Sequence, residues 1–195
     1  MKNIIKDTSV LFLITLVAGL LLGGIYEITK EPIERQKELK TIQAYQEVFE
    51  DAVSFEALEL AMPEEQNWSD TINSTNKAMD GNGNLLGYVI NITTHEGYNG
   101  DIQFTIGIRM DGTINGISLL SIAETPGLGM KAEEVLKPQF AQKVSHQLVV
   151  TKTGAVTEDE IDAISGATIT SEALVGGVNT GLEWFYSELG GGKDE

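Results

Sequence analysis

The stretch Ile102-Gln103-Phe104-Thr105-Ile106-Gly107-Ile108-Arg109-Met110-Asp111-Gly112-Thr113-Ile114 decides the fold. Ile102, Phe104, Ile106, Ile108 and Met110 recur at every second position, which places them on one face of an extended strand. Asp111-Gly112 then offers a two-residue type I′ turn, and Ile114 to Ile122 runs back as a second strand. Upstream, the period of two begins near Asn73. Leu86, Tyr88 and Ile90 alternate after Asp80-Gly81-Asn82-Gly83, whose glycines supply the positive φ that a tight turn needs. The expectation is an antiparallel meander with one buried face.

Outside the meander the period is helical. Ile33, Leu39, Ile42, Tyr45, Val48, Phe49 and Leu58 are spaced for a membrane-proximal amphipathic helix. Pro32 would sit in its first turn and Pro63 would close it. Met130 to Val144 reads as a helix interrupted by Pro138, and Leu148-Val149-Val150 as a short strand. Leu174, Val178, Leu182, Phe185 and Leu189 stripe a last helix, which Gly190-Gly191-Gly192 ends. Between Asp7 and Glu27 there is no charge. The apolar run from Thr8 to Tyr26, about 19 residues at ~1.5 Å each, covers most of a ~30 Å hydrocarbon core. It is longer than the usual signal-peptide core and lacks an Ala-x-Ala cleavage site, so a retained single span is expected. Lysines flank it on both sides and leave its orientation undecided. The class is therefore α+β. It divides into a tail (1–7), a transmembrane helix (8–26), a membrane-proximal helical segment (27–62), one domain with an antiparallel sheet and flanking helices (63–190) and a tail (191–195).

Composition narrows the chemistry. The 195 residues contain no cysteine, which removes disulfides, thiolate-held iron–sulfur clusters, zinc ribbons and c-type haem attachment. His95 and His146 are the two histidines and neither has a second ligand nearby in sequence, so no metal site is expected. A net charge of −16 repels phosphate backbones and disfavours nucleic acid. Trp68 and Trp184 are expected in the core.

Three glycine-rich patches interrupt the elements: Gly97-Tyr98-Asn99-Gly100, Glu124-Thr125-Pro126-Gly127-Leu128-Gly129 and Ser165-Gly166-Ala167-Thr168-Ile169-Thr170-Ser171. Each alone reads as a turn or a helix start. In the third, Thr168, Thr170 or Ser171 could cap the following helix. The same free N–H groups could instead bind an anion, with Gly166 and Ala167 letting a phosphate approach the backbone.

Taken together and in this order behind one span, the patches resemble the FMN-binding G subunit of the Rnf ion-translocating electron transport complex, and the related C subunit of the Na⁺-translocating NADH:quinone reductase. The resemblance covers essentially the whole chain. It implies an electron carrier in a ferredoxin:NAD⁺ oxidoreductase, coupled in the complex to Na⁺ or H⁺ translocation, with its FMN esterified through the phosphate to Thr168 by a flavin transferase. Ser165, Gly166, Ala167 and Thr170 would surround that link. Glu124, Thr125, Gly127, Leu128 and Gly129 would touch the flavin, and Tyr98 would stack or hydrogen bond near the ring. It also implies membrane and redox partner subunits in the cell membrane, with the domain on the extracytoplasmic side. Two other readings stand beside it: a non-redox extracytoplasmic binding or scaffold module, and a stand-alone flavinylated carrier serving another membrane reductase.

Overall fold

The computed structural model describes residues 2–58 and 70–190, and the chain forms two compact units, Met1–Thr41 and Ile42–Glu195. The first unit is the body of a single helix, α1 (Lys2–Val48). This helix is long and apolar enough to cross a membrane, and its most apolar 18-residue window has a mean hydropathy of 2.3. Pro32 lies inside α1 and does not open a new helix. A proline removes one N–H and strains one turn. Here the flanking Lys, Glu, Gln, Arg and Leu residues are strong helix formers, and one lost bond does not stop propagation through them.

The expected membrane-proximal helix is shorter than its periodicity suggested. It ends at Val48, whose carbonyl accepts a hydrogen bond from Asn115 Nδ2, and the chain turns at Ala52 N, which donates to Phe49 O. It then enters an edge strand, β1 (Ser54–Ala57), so Phe49 and Leu58 lie beyond the helix. Pro63 and Trp68 fall outside the described residues.

The second unit is built on a six-stranded antiparallel sheet whose spatial order follows the sequence: β1, β2 (Asp70–Met79), β3 (Leu85–Thr94), β4 (Ile102–Arg109), β5 (Thr113–Ser121) and, further along the chain, β6 (Lys143–Val144). The register sets Ile92 opposite Phe104, Ile90 opposite Ile106 and Tyr88 opposite Ile108, so the alternation does place one apolar row against the core. The turn joining β4 to β5 differs from the expected type I′. Gly112 N donates to Arg109 O, which makes Met110 and Asp111 the central residues, and Asp111 does not have the positive φ that type I′ requires. Gly112, at φ +85°, follows them, and Asp111 is fixed by accepting the N–H of Thr113.

Between β5 and β6 the expected single helix is two short ones, α2 (Ala132–Val135) and α3 (Lys137–Phe140). Pro138 cannot donate into a continuing helix, but it fits the first turn of a new one. Two short strands, β7 (Val149–Thr151) and β8 (Glu160–Asp162), pair in parallel. Strand β8 was not expected, because three residues within the acidic stretch from Glu158 to Asp162 are too few to show a period.

The last helix, α4 (Thr168–Glu188), lies on the sheet with Leu174, Val178, Leu182 and Phe185 fully buried. Gly177 and Gly181 permit that approach: a methyl group on Gly177 would lie 2.9 Å from the Phe104 ring, and one on Gly181 2.9 Å from Ile92. Trp184 is core, donating from Nε1 to Thr75 Oγ1 at 3.1 Å. The opposite face of the sheet carries a second cluster, where Tyr45, Val48 and Phe49 pack with Ala78 and Val89. Burying each large side chain in these layers contributes roughly 1.5–3 kcal/mol.

Candidate functional site

Because β3, β4 and β5 are antiparallel neighbours, the loop from β3 to β4 and the loop leaving β5 emerge at the same end of the sheet. The entry to α4 meets them there. Each loop is fixed by local chemistry.

In Thr125-Pro126-Gly127-Leu128, Leu128 N donates to Thr125 O at 3.1 Å and Gly127 has φ +77°, the arrangement of a type II turn with proline at its second position. Ile164 to Ala167 repeats it: Ala167 N donates to Ile164 O at 2.9 Å, and Gly166 has φ +80°. Ser171 locks this second turn from inside the helix. Its Oγ donates to Ala167 O and accepts the N–H of Ile164.

The two upper loops are joined by Glu124 and Asn99. Asn99 N donates to Glu124 Oε1 at 3.3 Å, while Asn99 Nδ2 donates to Ala123 O at 2.7 Å. Glycine is required on both sides of the carboxylate. A methyl group on Gly97 would lie 2.9 Å from Glu124 Oε1. One on Gly129 would lie 2.7 Å from both Glu124 Cβ and Thr170 Oγ1.

These loops enclose a cleft of about 480 Å³, lined by Tyr98, Glu124, Thr125, Leu128, Gly129, Gly166, Ala167, Thr168, Ile169 and Thr170. That volume is in the range of small-molecule and cofactor sites. Thr168 is the first residue of α4. Ala167 precedes it in the capping position, and no side chain caps the helix. The capping role open to Thr168, Thr170 and Ser171 is therefore not taken up, and Ser171 serves the preceding turn. The first turn of α4 also carries no acidic residue. Free N–H groups and the positive end of a 21-residue helix thus open onto the cleft in a strongly acidic protein.

Nine of the eleven residues singled out in the sequence line this cleft. Ser165 and Gly127 do not; they sit in the two turns that shape it. Ile169 was overlooked as a contact, although its place one residue after Thr168, in the same helix start, was a usable signal. Tyr98 is largely exposed at the rim. His95 lies beside this loop, held between Asp101 Oδ1 at 2.9 Å and Thr71 Oγ1 at 3.1 Å. His146 stacks on Tyr186 with ring centroids 4.2 Å apart.

Comparison with known proteins bears on the same residues. Residues 97–183 match the model of the FMN-binding domain, and residues 1–48 that of the RnfG N-terminal region. The chain is 33% identical, over 95% of its length and 93% of the relative's, to the G subunit of the Na⁺-translocating ferredoxin:NAD⁺ oxidoreductase complex of Acetobacterium woodii. It is 30% identical to the G subunit of the proton-translocating ferredoxin:NAD⁺ oxidoreductase complex of Clostridium ljungdahlii, over 95% of this chain and 97% of the relative. Among solved structures, NqrC of Shewanella oneidensis aligns with a TM-score of 0.49 at 20% identity, covering 71% of this chain and 70% of that one. The chain belongs to the RnfG family, the G subunits of the Rnf ion-translocating oxidoreductase complexes, as a membrane-anchored electron-transport subunit with an FMN-binding domain.

Proposed function

We propose that this subunit relays electrons in a ferredoxin:NAD⁺ oxidoreductase through an FMN bound covalently in the cleft, its phosphate esterified to Thr168 Oγ1 by a flavin transferase. The observation that carries the reading is the start of α4, where Thr168 opens an uncapped helix N-terminus onto a cleft large enough for a cofactor. The residues present suit the group. A phosphate at Thr168 would accept the free N–H groups, and Gly166 would let it come close to the backbone. Leu128, Ile169 and Tyr98 would give the ring apolar and aromatic surfaces. When bound, the flavin supplies reversible electron uptake at a potential set by its surroundings. The protein's part is to hold the ring, to exclude water from its buried side and to prevent its loss by dilution.

The comparison favours this reading over a non-redox scaffold and over a stand-alone carrier, since both relatives are named as subunits of a multi-subunit oxidoreductase. The two names give different coupling ions, Na⁺ and the proton. Ion translocation is assigned to partner subunits, because the run from Thr8 to Tyr26 holds none of the ionisable side chains that an ion path needs. In this reading the domain lies on the extracytoplasmic side of the cell membrane, and a tether suits a compartment where free flavin is scarce.

The test is intact mass and in-gel flavin fluorescence after denaturation, with protein made alongside the transferase. Wild type is expected to carry one FMN less one water, and Thr168→Ala to lose the mass and the fluorescence. Wild type without flavin, or Thr168→Ala that keeps it, would reject the link.

A further inference from the structure

Glu124 is a carboxyl side chain that the tether does not use. It is 5% exposed, lines the cleft and accepts one hydrogen bond, from Asn99 N. Among the described residues it makes no ion pair. Among the described residues that line the cleft none is cationic; Lys131 follows Gly129 by two residues and is not part of the lining. The loop below it presents the Asn99 amide and Tyr98, the turn above presents Gly129, and the first turn of α4 presents Thr168, Ile169 and Thr170. His95 and Asp101, in the same loop, engage each other and Thr71. Two glycines make room for this carboxylate, since a methyl group on either Gly97 or Gly129 would lie 2.9 Å from one of its oxygens. It is therefore a built feature of the cleft, a carboxyl group placed where a negative charge would arrive.

We infer that Glu124 takes up a proton when the cleft receives an electron. The inference rests on the FMN reading above and assigns the site's proton exchange. With the flavin bound, an electron given to it by a one-electron carrier of the complex would be balanced by one proton from solvent adding to a Glu124 carboxylate oxygen, so that the net charge of the cleft would be unchanged. On reoxidation the electron would pass to the next carrier and the proton would return to solvent. A carboxylate and a second negative charge in one cleft raise each other's free energy, and a proton on the carboxylate relieves it.

The experiment uses the full flavinylated chain in detergent. Reduced-minus-oxidised infrared difference spectra of wild type should gain a protonated-carboxyl C=O stretch on reduction, moving to lower frequency in D₂O. The band should be absent from Glu124→Gln and present in Glu124→Asp. In redox titrations, the equilibrium constant for reduction should change tenfold more per pH unit in wild type than in Glu124→Gln. A fully reduced wild type with no such band, or equal pH slopes in the two proteins, would overturn the assignment and leave the flavin intact. A wild type without flavin would overturn both readings, and absorbance separates the two cases. If Glu124→Gln does not retain its flavin, the wild-type spectrum and that of Glu124→Asp decide.

Discussion

At Gly129 the missing side chain matters more than any side chain present nearby. The position faces Glu124 and Thr170 at once, and a methyl group there meets atoms 2.7 Å away on both. Neither neighbour can retreat easily, because Thr170 belongs to α4 and Glu124 is held by Asn99. Gly129→Ala is therefore expected to cost about 1–3 kcal/mol of stability, as overpacking does. It should also reduce flavin incorporation several-fold, measured as flavin absorbance per protein beside a urea unfolding curve. Unchanged incorporation would mean that the cleft tolerates a different path for the loop. The glycine and hydroxyl patches were legible in the sequence because turn chemistry is local. The roles of Ser171 and Ile169 were not, since each depends on where α4 begins, and a helix start cannot be placed to the residue by periodicity.

Among the elements, the end of α1 and the helix α3 are joined by an acid–base cluster beyond the apolar span. Lys137 pairs with Glu47 of α1 and Glu133 of α2, and Ser118 of β5 also donates to Glu47. Burial acts to raise the Glu47 carboxyl, but hydrogen bonds from Lys137 and Ser118 and the Lys137 charge outweigh it and hold the group below its ordinary range. Burial likewise acts to lower Lys137, and its two carboxylate partners outweigh this and raise it. A lowered carboxyl stabilises the fold above its unfolded pKa, and that contribution disappears as pH falls through the folded value. A raised lysine stabilises below its unfolded pKa and loses this as pH rises through the folded value. The cluster therefore contributes across neutral pH and fades at both extremes. Lys137→Met should cost roughly 1 kcal/mol at pH 7, since the pairs are partly solvated, and the difference from wild type should shrink below about pH 4. Denaturant midpoints for both proteins across pH would check this, and a difference that does not vary with pH would refute it.

The sheet and α4 were readable because their apolar periods repeat over eight to ten residues and over several helical turns. The stop of α1 at Val48 was not, because it is set by Asn115, a residue 67 positions away. Asn115 is the extra residue in β5 where the register with β4 shifts between Gly107 and Ile108. Strand β1 was missed for a related reason: four residues are too few to show a period, and their pairing is with β2.

At the scale of the whole molecule, the composition supplies the means to test which side of the membrane holds the acidic domain. The apolar run from Thr8 to Tyr26 anchors the chain. The chain carries a net charge of −16, which anionic lipid headgroups repel. Orientation cannot be read from the flanking lysines, but the absence of cysteine makes the chain a clean background for a single reporter thiol. Val156 suits that purpose. It is 86% exposed, in the loop between β7 and β8, and lines no part of the cleft. Substitution of an exposed residue away from packed features usually changes stability by less than about 0.5 kcal/mol, so Val156→Cys should keep the flavin content of wild type. With the domain extracytoplasmic, a membrane-impermeant maleimide added to intact cells, with any outer envelope made permeable, should label the introduced thiol as fully as it does after lysis. Labelling that requires lysis would put the domain in the cytoplasm. It would also remove the argument that the covalent tether serves a compartment poor in free flavin, without touching the cleft chemistry of Thr168 and Glu124.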